Sequence, residues 1–254
     1  WLSGAGEQFL KEDLLVLNEA GADGGGLWAS GGQPNLTFVR ARHNEAAGIG
    51  GGALLNGSNG GKTRKSSFGG NIAGDYGGGA VHMSSNTSHP VVNNRYIENE
   101  APAGAGLVIN GDILKYNIVT NVDIVGNIGD GIAFVESPSA KLENSIIAFN
   151  DGTGIVADET STNEYLKLKY NNVYGNGTDY GDGPSGLTDT EGTADGNISA
   201  DPIFVRFATD GDPISDFLYP SDGSPVIDVG RPEVAYLDTD GSPSDMGSYG
   251  GPEA

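Results

Sequence analysis

The chain has 254 residues, with 13 Lys and Arg against 34 Asp and Glu for a net charge of −21. That balance excludes a nucleic-acid partner, which needs a basic face, and disfavours an anionic membrane surface. Cysteine is absent and Gly numbers 43 of 254, far above the usual share of about 7%. Disulfide frameworks, thiolate metal sites and Cys nucleophiles are therefore excluded. No apolar run approaches the ~18 residues that span a bilayer, and the opening residues 1–6 lack the basic and apolar regions of a signal peptide. With 37% hydrophobic residues the chain can still build a core.

In chain order, residues 1–11 read as an N-terminal end segment. From residue 12 to 174 one unit recurs. Asn18, Asn44 and Asn71 are each followed by Ala two residues later and by three Gly that end eight residues after the Asn. Asn99 repeats the pattern one residue shorter, Asn127 and Asn150 are shorter again, and Asn176 opens a degenerate last copy. The spacings are 26, 27, 28, 28, 23 and 26 residues. A second register is locked to the first. Three residues before each Asn stand Leu15, Ala41, Phe68, Tyr96, Ile124, Ile147 and Val173, all apolar.

This Gly content excludes helical repeats, since Gly costs about 1 kcal/mol per helix position relative to Ala. The pieces between turns, such as FVRAR, GLVIN, VDIVG and NSIIAF, are short, alternating or β-branched, and read as strands. Several strands per repeat, joined at Asn and Gly corners, describe one coil of a parallel β-helix. The expected fold is therefore a single all-β domain, a right-handed parallel β-helix of about eight to ten coils over residues 1–254. Coils stack about 4.8 Å apart, so like corners meet. Asn18, Asn44, Asn71, Asn99, Asn127 and Asn150 are expected to form an amide ladder at one corner, and the apolar register an inward stack.

Residues 175–254 differ in composition. They hold 16 acidic and 2 basic residues, a net of −14. They read as the last coil and an acidic C-terminal cap, with residues 201–204 and 225–228 laid over the open end. Within it Asp238, Asp240 and Asp245 form DxDGxxxxD. Alternate Asp residues before a Gly turn supply oxygens for a hard cation, so Ca²⁺ is the one cofactor considered there. An Asx-stabilised turn without an ion is the other reading.

The pattern Phe68-Gly-Gly-Asn71 followed by Gly78-Gly79-Ala80-Val81 resembles the FxxN and GGA[ILV] repeats of polymorphic outer-membrane proteins. The endings around Asn197-ISADPIF, Ser224-PVIDVG and Asp238-TDGSPSDMGSYGG are similar to those of secreted right-handed β-helix repeat proteins. The resemblance covers roughly residues 10 to 250. It implies an extracellular or cell-surface location and a passenger-like solenoid, and it leaves function open, since this fold serves adhesins, lyases and hydrolases.

No catalytic set stands out. Lys62, Arg64 and Lys65 are expected in a solvated Gly-rich loop, and His43, His82 and His89 have no metal-binding spacing. Two classes of function remain. One is an adhesive or structural solenoid that joins copies of itself head to tail into fibres. The other is a polysaccharide-active enzyme or a module that binds extracellular glycans through aromatics such as Trp28, Tyr76 and Tyr116. A short capping helix in residues 6–17 is the alternative to an open, self-associating N-terminal end.

Overall fold

The computed structural model describes residues 1–56, 60–84, 89–111, 117–136, 139–157, 166–181 and 195–254. The chain winds as a parallel β-solenoid. Three long parallel sheets run the length of the coil, one of eight strands and two of seven, with a short fourth sheet of three. The first sheet starts with Leu2–Ser3 and Leu27–Ser30, the second with Glu7–Lys11 and Gln33–Thr37, the third with Leu14–Val16 and Arg40–Arg42. Residues 1–11 thus supply the first two strands of the first coil, and no helix closes that end. The described coils fall short of the eight to ten expected.

Stacking in register explains the core. The parallel pairs Leu15↔Ala41, Ala41↔Phe68, Phe68↔Tyr96, Tyr96↔Ile124, Ile124↔Ile147 and Ile147↔Val173 make one inward column. Side chains alternate across a strand, so neighbours one residue away point outward. All members but Leu15 in the first coil are fully buried. Facing columns from the first two sheets, such as Leu55, Ile109 and Phe134, or Leu36, Val91 and Leu142, complete the core.

Each coil bends at left-handed residues. One corner column, between the second and third sheets, holds Glu12, Phe38, Lys65, Asn93, Asn121, Asn144 and Tyr170, all at φ near 50–60°. At the corner before the first sheet the glycine triplet divides its work. Gly50 supplies φ 74°, which costs Gly nothing. Gly52 supplies closeness: a Cβ there would lie 2.3 Å from the Gly79 carbonyl oxygen and 2.9 Å from Asn71 Nδ2.

The C-terminal segment does not close the end of the solenoid as expected. Residues 203–254 lie along its flank, against the outer face of the third sheet. Leu218 packs on Ile97 and Val125, and Val226 and Met246 pack on Ile146 and Ala148. The physical reason is the third sheet itself: outward Ile97, Val125, Ile146 and Ala148 form an apolar strip that needs a cover. Phe204–Arg206 and Phe217–Pro220 pair antiparallel within this segment.

Candidate functional site

The corner asparagines meet in one continuous ladder. In each coil the Asn backbone N–H and Nδ2 both donate to Oδ1 of the Asn one coil on. For Asn71 and Asn99 the distances are 3.1 and 2.9 Å; for Asn127 and Asn150 they are 3.0 and 2.7 Å. Asn18, Asn44, Asn99 and Asn150 donate in the same way. The second Nδ2 proton goes to the carbonyl of an inward-column residue, as from Asn71 to Ala41 at 3.0 Å and from Asn99 to Phe68 at 3.0 Å. This bond locks the two sequence registers together. Asn176 ends the run by donating to Asp179 Oδ1 at 2.9 Å. A carboxylate accepts and cannot donate onward.

A second ladder lies at the opposite end of the third sheet's strands. Val39 N–H donates to Ser66 Oγ, Ser66 N–H to Asn94 Oδ1, Val122 N–H to Ser145 Oγ, Ser145 N–H to Asn171 Oδ1, and Asn171 N–H to Asn197 Oδ1. Sequence reasoning missed it, because its positions alternate among Val, Ser and Asn.

Asp238, Asp240 and Asp245 each accept backbone N–H groups. Asp238 accepts the Asp245 N–H at 3.1 Å and the Gly251 N–H. Asp245 accepts the Asp228 N–H at 2.8 Å, and Asp240 accepts Ser242 N–H at 2.9 Å. Burial raises the carboxyls of Asp238 and Asp245, whereas the Ser242 hydrogen bonds lower Asp240. Among the described residues no three His, Asp or Glu side chains group as a metal site. The DxDG turn instead staples the stretch from Asp245 to Gly251, which is what holds the flank segment in place.

That stretch is anchored by the left-handed corner column. Asn93 Nδ2 donates to the carbonyls of Ser248 and Gly250 at 3.0 and 2.8 Å. Asn121 Nδ2 reaches those of Asp245 and Gly247, both at 3.2 Å. Asn144 Oδ1 accepts the Arg231 N–H at 2.9 Å. Asp123, fully buried on the third sheet, accepts Ser248 Oγ–H at 2.5 Å and Ser248 N–H at 3.1 Å. Burial raises its pKa to about 7, against the opposing pull of Ser248 and Arg95. Arg231 and Lys141 each lie 2.7 Å from the buried Glu143.

The segment ends at a basic and aromatic hollow. Phe38, Arg64, Lys65 and Glu253 line a cavity of about 270 Å³, beside another of about 230 Å³ lined by Phe38, Lys65, Asn93, Arg95 and Tyr249. Arg95 Nη1 donates to the Tyr249 hydroxyl at 2.9 Å, Lys65 Nζ sits 5.7 Å from the Phe38 ring centre, and Arg64 lies 3.6 Å from Glu253. Lys62 and Arg64 stand on the strand Lys62–Arg64 and Lys65 at its corner, so the expected loop is a strand. Residues 24–98 hold six basic and three acidic side chains, a net of +3 within a chain of −21.

His82 and His89, distant from any motif, meet inside the solenoid with ring centres 4.8 Å apart. His89 Nε2 lies 2.9 Å from Thr63 Oγ1, and burial lowers both imidazoles. His43 occupies a corner at φ 50°. Trp28 lies on the outer face of the first sheet, where Trp1 packs against it with ring centres 4.8 Å apart and planes tilted by 35°, and Tyr76 packs in the same outer cluster. Tyr116 lies outside the described residues.

A family model described as the right-handed β-helix region matches residues 27–197. The chain belongs to that family. The match spans the coils from Leu27 on and gives their hand. No curated protein and no solved structure matches the chain. No helix among the described residues of this right-handed β-helix is long and apolar enough to cross a membrane.

Proposed function

We propose that the chain is an extracellular or cell-surface structural and adhesive β-helix that associates with copies of itself, N-terminal coils of one against the C-terminal part of the next. The observation that carries this reading is where large apolar side chains meet solvent. Trp1, Phe9, Leu14, Val16, Leu17 and Phe38 are exposed in the first two coils. Ile203, Val205, Ile214, Phe217, Tyr219 and Val234 are exposed in the C-terminal segment. Between them the described coils expose only Ile72, Ile118 and Ile128 among large apolar residues. Apolar surface on the first coils and a second, different apolar surface on the flank segment are the pattern of a heterologous contact, which adds copies along one direction. Sedimentation velocity across a concentration series, with electron microscopy of the same samples, tests it. Linear single-file assemblies are expected. A strict monomer at high concentration overturns it.

A second reading, glycan binding, draws on the hollow of Phe38, Arg64, Lys65, Arg95 and Tyr249, where cations and rings face solvent together. Calorimetry with an acidic and a neutral polysaccharide separates it: only the acidic one is expected to bind, and to do so without being cleaved. Binding unaffected by Lys65→Glu places the glycan elsewhere.

A further inference from the structure

The outer face of the third sheet is continuous along the solenoid, but its cover is not. Leu14 shares a column with Ile146, and Val16 with Val125 and Ala148. Where these columns pass beneath Leu218, Val226 and Met246 they are fully buried, Ile146, Val125 and Ala148 each at 0% exposure. In the first coil the same columns are bare, with Leu14 59% and Val16 40% exposed. The next coil places Arg40 and Arg42 there.

The amide grip on the cover stops for a chemical reason. Asn93, Asn121 and Asn144 hold it through their side-chain amides, and the same corner column continues toward the first coil as Lys65, Phe38 and Glu12. None of these offers a paired amide donor and acceptor. Past Asn93 the segment keeps only Glu253 beside Arg64 and Pro213 over Gly69, and Leu14, Val16 and Arg40 stay exposed.

We infer that the bare third-sheet face of the first two coils, centred on Leu14, Val16, Arg40 and Arg42, is a docking site for the C-terminal segment of a second copy of this chain. The inference rests on the self-association reading and names its contact surface. Two observations select the occupant. The first is charge. The segment at residues 175–254 carries −14, and the face itself presents Arg40 and Arg42 side by side on one strand. Burial, together with Arg40 and Arg95 nearby, lowers the Arg42 guanidinium, and Asp212 of the flank segment counters it. The cluster is thus already partly compensated by an acid of this segment in cis. The second is continuity with a contact the molecule already makes. The same segment covers the same columns of the same sheet a few coils on, and it still exposes Val205, Phe217 and Tyr219. The corner ladder offers no competing joint: it ends on the Asp179 carboxylate, which would meet Asn18 of the next copy without a proton to donate.

The chain contains no cysteine, so Leu14→Cys accepts a single thiol-reactive photocrosslinker on an exposed position. Labelled protein is mixed with isotopically heavy, unlabelled protein and irradiated, and the products are mapped by mass spectrometry. Light-to-heavy crosslinks into residues 195–254 are expected. Arg40→Glu, also at an exposed site, is expected to weaken association at least tenfold with an unchanged melting temperature. Oligomers whose crosslinks fall on the last coil's strands at 166–181, or that ignore Arg40→Glu, overturn this site while leaving self-association standing. A strict monomer overturns both. A label protected by an added acidic polysaccharide, with no light-to-heavy product, assigns the patch to a glycan and overturns the inference.

Discussion

Phe68 lies on Tyr96 one coil on, with ring centres 5.1 Å apart and planes 7° from parallel. Parallel in-register stacking makes such like-on-like contact the rule, and here it puts two aromatic residues in one inward column. The Tyr96 hydroxyl is fully buried and has no hydrogen-bond partner among the described residues; burial raises its pKa. An unpaired buried hydroxyl costs about 1–3 kcal/mol. Tyr96→Phe keeps the stack and removes the hydroxyl, so it is expected to raise the melting temperature. Phe68→Ala is expected to cost about 3–5 kcal/mol. Calorimetric melting of both variants checks the pair.

Asn71 accepts from Asn44 and donates to Asn99 and Ala41. Asn71→Ala strands partners in the coils on both sides and is expected to cost at least about 1–3 kcal/mol, the penalty for one unpaired buried group. Gly52→Ala reaches the same ladder from the other side, through the contact with Asn71 Nδ2. Both are expected to lower the midpoint of denaturant unfolding. A midpoint unchanged in Asn71→Ala removes the ladder as a source of stability.

Two buried groups make stability depend on pH in opposite senses. His82 and His89 are depressed in the folded state, His89 to about 4 from 6.5. The unfolded chain therefore takes up protons first, and this contribution is lost as pH falls from about 6.5. Asp123 is raised to about 7 from 3.8. The folded chain holds its proton longer, so its contribution is full below about 4 and fades as pH rises through 7, a few kcal/mol at about 1.4 kcal/mol per unit. Asp123 touches the flank segment and the histidines do not. Exchange protection factors at residues 244–254, taken relative to the intrinsic rate at each pH, are expected to fall from pH 5 to pH 8, and Asp123→Asn is expected to abolish the difference.

Asn121 holds two carbonyls of the flank segment. Asn121→Ala is expected to leave the coils folded while trypsin or a broader protease removes the C-terminal tail faster. Arg231→Met leaves Glu143 with Lys141 as its remaining ion pair and is expected to have the same effect. Loss of the circular-dichroism signal along with the tail would show that the coils need their cover to fold.

The coils were legible because Leu15, Phe68 or Ile124 stands at a constant distance from an Asn, and short-range periodicity is written directly into a solenoid. The second ladder was not, since Val39 and Val122 supply only a backbone N–H where other coils supply Asn94 or Asn171. The placement of the C-terminal segment was also illegible. Asp123 and Ser248 are 125 residues apart and belong to no repeat. The three acidic residues of the DxDG turn were visible as a cluster, but their aim at backbone amides depends on where Gly251 and Asp228 return in space.

The flank segment measures out the solenoid. Asn93, Asn121 and Asn144 grip three successive coils, holding Ser248, Asp245 and Arg231 of the segment in turn. A coil duplicated from Asn71 to Glu98 would splice cleanly into the corner ladder, since each joint is Asn on Asn. If the duplication fell below Asn93, the cover would merely leave one more coil bare. Inserted between Asn121 and Asn144, a new coil would drive the two grips about 4.8 Å further apart, and an unlengthened segment could keep only one of them. Growth by whole coils is thus tolerated toward the N-terminal end and penalised beneath the cover.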